Sequence, residues 1–113
     1  MEIGEDKVGQ VTVIEIKGWV NISAHPERLQ QLVRERLRGG ERQFLIDLAE
    51  CEWMDSTGLG ELITSFVTVT RQEGQLKLVN VPRPVHGLLT VSNLTQVFEV
   101  FDEKQAAIDS FAA

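Results

Sequence analysis

The stretch CEWMDSTGLGEL, residues 51–62, gathers a carboxylate (Asp55), two hydroxyls (Ser56, Thr57) and two glycines (Gly58, Gly60) just before a helical apolar pattern begins. At the start of a helix the first N–H groups lack intrahelical partners and the dipole is positive, so a side-chain acceptor or an anion is stabilised there. The plain reading is that Asp55 or Ser56 is the N-cap, since Asp, Ser and Thr are preferred capping residues. That reading leaves the glycines unexplained. Two helical glycines cost roughly 0.8–1 kcal/mol each relative to alanine. Close approach by a partner, a positive φ in the turn, or tight packing onto a sheet would each offset the cost.

Other chemistries lack their residues. No Lys follows the glycines as in a phosphate-binding Walker loop, and no G-x-S-x-G elbow or sequence-adjacent His activates Ser56, so an enzyme is not expected. His25 and His86 stand far apart with no further ligand at metal spacing, so neither a metal nor a cofactor is expected. Cys51, the one cysteine, has no internal partner for a disulfide and reads as a small buried hydrophobe. Trp19 and Trp53 fall near the same end of the expected sheet, where each is either core or a partner-facing anchor.

Charge narrows the partners. The net charge is −6, and five of the eleven basic residues lie between Arg28 and Arg42, interleaved with Glu35 and Glu41. Such a chain lacks the clustered cations that neutralise phosphates, which argues against nucleic acid and for a protein partner. The N-terminus MEIGEDKVGQ is not a signal peptide and no apolar run approaches about eighteen residues, so the expectation is a cytoplasmic protein that meets membranes only through a partner. With 113 residues and no large unassigned apolar stripe, one domain spanning 1–113 and a monomer are expected.

The elements that must position the motif follow from periodicity. EIGEDKV and VTVIEIKGWV, broken at Gly9, read as two antiparallel strands. Leu29, Leu32, Val33 and Leu37 then mark a helix, with Pro26 in its first turn and Gly39-Gly40 at its exit. QFLIDLAE (43–50) reads as a central strand. Leu59, Leu62, Ile63, Phe66 and Val67 form the next helical stripe, ending near Gly74. QLKLVNV is a strand, PRPVHGLLTVSNL a short helix with Val85, Leu88 and Leu89 inward, and QVFEVFD a last strand. Asp102 with Gln105 resembles a capping box for a terminal helix carrying Ile108 and Phe111. The expected order is β-β-α-β-α-β-α-β-α: an α/β domain with a mixed sheet of about five strands and about four helices packed on it.

With these elements in order, FLIDLAECEWMDSTGLGEL resembles the signature of the STAS family, specifically the bacterial anti-sigma factor antagonists. The likeness extends from the Gly18 turn through GQLKLVNV to the VF near residue 100. It implies a STAS fold and a binding module that captures an anti-sigma factor serine kinase when unphosphorylated, and so frees a sigma factor. It also implies that Ser56 accepts the phosphoryl group, with Thr57 as alternate, and that a serine phosphatase resets the switch. Asp55, Gly58, Leu59, Gly60, Asn21 and Trp19 would form the partner-binding surface. Asn21 departs from the pattern, which places an acid in that turn. The alternative within the family is a non-switching adaptor of a membrane lipid or anion transport complex or of a multi-STAS scaffold.

Overall fold

A computed structural model describes residues 2–20 and 28–112, with the side chains of Trp19 and Val20 excepted. Chain order is β1 (Glu2–Val8), β2 (Val11–Val20), α1 (Arg28–Arg38), β3 (Gln43–Asp47), β4 (Cys51–Met54), α2 (Ser56–Arg71), β5 (Gln75–Val79), α3 (Arg83–Val91), β6 (Val100–Phe101) and α4 (Lys104–Ser110). The sheet runs β1-β2-β3-β5-β6, with β4 paired to β2 off this path. β1 is antiparallel to β2, and every other pairing is parallel. This is an α/β fold with a mixed six-stranded sheet and four helices.

Period-two alternation divides the core into two layers. Ile14, Ile16, Phe44, Ile46, Leu76 and Leu78 face one side and pack with residues of α1, α2 and α3. Val11, Val13, Leu45 and Val79 face the other, where α4 covers them with Ala107 and Phe111. Helix α1 buries Leu29, Val33 and Leu37 on one stripe. Each such side chain contributes roughly 1.5–3 kcal/mol by leaving water. Lys77, on the α4 side of β5, is 6% exposed. Its ammonium donates to Ser110 Oγ at 2.9 Å and lies 4.5 Å from the centre of the Phe111 ring, so burial of the charge is offset by contacts that also hold α4.

Several expected elements differ in detail. The strand expected over 43–50 stops at Asp47, whose Oδ1 accepts the Ala49 amide at 3.0 Å and turns the chain. A further strand, β4, follows and was not expected. Helix α2 begins at Ser56 with Asp55 as its N-cap, one of the two caps expected, and its apolar stripe runs from Leu59. Its buried face takes Val69 while Val67 is 38% exposed, because Val69 rather than Val67 continues the line of Leu62 onto the core. The last strand is only two residues long. The capping box of Asp102 and Gln105 does not form: Glu103 occupies the N-cap position without a side-chain bond, and Gln105 donates to Asp109 one turn on. Pro26 lies outside the described residues.

Candidate functional site

The site is built where β2 changes partner. Its register with β3 ends at Glu15↔Asp47. At Gly18 the backbone has φ +81°, a left-handed conformation that side chains disfavour, and the register shifts there. Gly18 faces Cys51 before the shift, and beyond it Trp19 faces Trp53 and Val20 faces Met54, so Glu52 is the residue skipped. The Gly18 amide donates to the Glu50 carbonyl at 2.9 Å, and the Cys51 amide to the Leu48 carbonyl at 3.0 Å. A short parallel ribbon thus extends past the end of the main sheet and delivers the chain to the start of α2.

Within β4, Cys51 and Met54 point inward while Glu52 and Trp53 are exposed. Burial pushes the Cys51 thiol up from its ordinary value; the neighbouring Glu52 charge adds to the rise, against a lowering contact with the Trp53 carbonyl. The sulfur is therefore a packed hydrophobe, as its position in the sequence suggested.

Asp55 is the N-cap of α2. Its backbone is extended, its Oδ1 accepts the Gly58 amide at 2.9 Å, and its carbonyl accepts the Leu59 amide at 3.0 Å. Ser56 is the first helical residue and is exposed; Thr57 is half-buried. Gly58 and Gly60 both lie in the helix, and neither has positive φ, so a left-handed turn is not what they provide. Leu59 is 6% exposed and packs in the core, as its place in the apolar stripe of α2 requires, whereas the resemblance placed it and the buried Gly58 on the partner-binding surface. Gly60 is half-buried, and a Cβ there would meet nothing within 4 Å. Asn21 lies outside the described residues, as does the Trp19 side chain.

Sequence reasoning missed Glu61. It is 5% exposed on the motif helix, and its Oε2 accepts a bond from Gln30 Nε2 on α1. A polar bond thus ties α2 to α1 about one and a half turns from the expected phosphoacceptor. The available signal was position: Glu61 lies three residues after Gly58 on the same helical face. Among the described residues no three His, Cys, Asp or Glu side chains group to hold a metal, and no helix is long and apolar enough to cross a membrane. Chemically, the arrangement presents one exposed hydroxyl at a capped helix N-terminus, where added negative charge is compatible with the fold.

The profile of the family described as "Mlab, STAS domain" matches residues 3–100. A Bordetella bronchiseptica protein, BtrV, named as a candidate anti-sigma factor antagonist, is 25% identical over 111 residues, covering 98% of this chain and 95% of that protein. The Bacillus subtilis anti-sigma-B factor antagonist is 26% identical over 95 residues, covering 84% and 85% respectively. Among solved structures, a candidate anti-sigma factor antagonist from Thermotoga maritima superposes with a TM-score of 0.90 at 20% identity, covering 98% of this chain and 95% of that one.

Proposed function

This chain belongs to the STAS-domain family, and we propose that it is a monomeric, cytoplasmic anti-sigma factor antagonist switched by phosphorylation at Ser56. Unmodified, it captures an anti-sigma factor that is also a serine kinase, and the sigma factor is released. The kinase transfers the ATP γ-phosphoryl group to Ser56 Oγ: an O–P bond forms, the bond to ADP breaks, and the hydroxyl proton passes to a base of the kinase. A phosphatase reverses the modification. The observation that carries this reading is the exposure of Ser56 at the first position of α2, beside a helix start already capped by Asp55.

The phosphoryl group brings about −1.5 to −2 charge and three acceptor oxygens. The helix dipole tolerates it by roughly 0.3–1 kcal/mol, with Asp55 opposing, so the fold survives modification. A partner closed over Ser56 and Gly60 would have to desolvate that charge, a cost absent for the neutral hydroxyl. In this reading Asp55 orients the helix start, Thr57 is the alternate acceptor, Gly60 admits close approach, and Gly58 and Leu59 act through packing. For Trp19 and Asn21 the partner-binding role rests on the resemblance alone.

The test is phosphorylation by the anti-sigma factor kinase with ATP, read by mass spectrometry and by affinity. One phosphate at Ser56, absent from Ser56→Ala, together with a weakened complex for Ser56→Asp, is expected. Full labelling of Ser56→Ala would move the site to Thr57 or overturn the reading. A stable complex indifferent to Ser56→Asp would favour the non-switching adaptor.

A further inference from the structure

Trp53 is 38% exposed and, among the described residues, is the one aromatic of the large exposed hydrophobic side chains; the others are valines. It stands three residues before Ser56, on a strand that pairs with the end of β2 across a register shift between Gly18 and Trp19. Its neighbour Glu52 is also exposed and has no ion pair among the described residues, whereas Glu50 on the same rim pairs with Lys17 at 3.4 Å. An indole that stays partly in water forgoes burial worth up to several kcal/mol, and a carboxylate beside it invites a cation.

We propose that Trp53 and Glu52 form the anchor on which the anti-sigma factor docks, and that the partner surface there is cationic: an arginine or lysine against the Glu52 carboxylate, with an apolar or guanidinium face on the Trp53 indole. This inference rests on the reading of Ser56 as the centre of the partner contact. Charge complementarity and continuity with the Ser56 surface identify the occupant. Arginine fits best, because its planar guanidinium both pairs with carboxylates and stacks on indole. Trp53 then supplies affinity while Ser56, three residues on, supplies the switch.

The experiment uses the anti-sigma factor that binds the wild-type chain. Trp53→Ala is expected to weaken binding about thirtyfold or more, as hot-spot tryptophans do. Glu52→Lys, a change at an exposed position that leaves the fold intact, is expected to weaken binding about fivefold or more and to flatten its dependence on salt. In a Trp19→Phe protein, Trp53 is the sole indole, and binding should shift its emission to the blue and shield it from acrylamide. Binding by Trp53→Ala and Glu52→Lys within twofold of wild type, with Ser56→Asp still disruptive, overturns this anchor and leaves the switch standing. If Trp53→Ala fails to fold, Glu52→Lys and the emission of Trp53 decide the question. If no anti-sigma factor binds the wild-type chain, both readings fall together.

Discussion

The Asp55 carboxylate accepts the Gly58 amide at 2.9 Å, so the acid of the motif holds the first turn of α2 and presents Ser56 outward in the same stroke. Capping and presentation are one arrangement: with Asp55 occupied by the backbone at N3, the hydroxyl at N1 faces solvent.

Removing that cap has a defined cost. Asp55→Ala should lose about 1 kcal/mol of stability, and Asp55→Asn or Asp55→Ser only part of it. Urea denaturation checks this, and equal stability of Asp55→Ala and wild type would contradict the role of the bond.

Gly60 offers the opposite trade. A methyl group there meets nothing, so Gly60→Ala should gain about 0.8–1 kcal/mol through helix propensity. The same variant should bind the anti-sigma factor more weakly if the glycine serves close approach. Paired denaturation and affinity measurements separate the two effects; stabilisation with unchanged affinity would leave Gly60 without a role in docking.

Cys51 should behave as buried cargo. With its thiol 3% exposed as a residue and pushed up in pKa by burial, it should react slowly with a disulfide reagent at pH 8 and rapidly in urea. Complete labelling of the native protein within minutes would show that β4 opens readily.

Acid should loosen the outer strand. Burial raises the Glu41 carboxyl, but hydrogen bonds from Lys7 and from Thr12 at 2.9 Å, with the Lys7 and Arg36 charges, outweigh it, and the net pKa is lowered. A carboxylate whose folded pKa is depressed contributes stability above its unfolded pKa and loses it as pH falls through the folded value. Stability of the wild type should therefore drop more steeply than that of Glu41→Gln below about pH 5. Hydrogen exchange should show the loosening first in β1, the strand that Lys7 ties to this carboxylate.

Local pattern made most elements legible. Leu29, Val33 and Leu37 announce α1, and the β-branched run from Val11 to Ile16 announces β2, because burial on one face imposes the period of the element on the sequence. The motif was legible for the same kind of reason: Asp55 caps a helix whatever surrounds it. Strand β4 was not. CEWM has no alternation, with Cys51 and Met54 inward and Glu52 and Trp53 outward, and it is a strand because the end of β2, Gly18 to Val20, pairs with it across a register shift. Nor did the sequence mark Asp47 as a strand end, since that depends on its carboxylate capturing the Ala49 amide.

What the chain alone determined is chemistry attached to short segments: an acid, a hydroxyl and glycines at a helix start, within an alternating α/β order. What only the tertiary structure decided is exposure: Ser56 and Trp53 outside, Glu61 inside. Residue type sets what a side chain can do, but which face meets water depends on helices and strands far apart in sequence coming together, and no local window of residues carries that information.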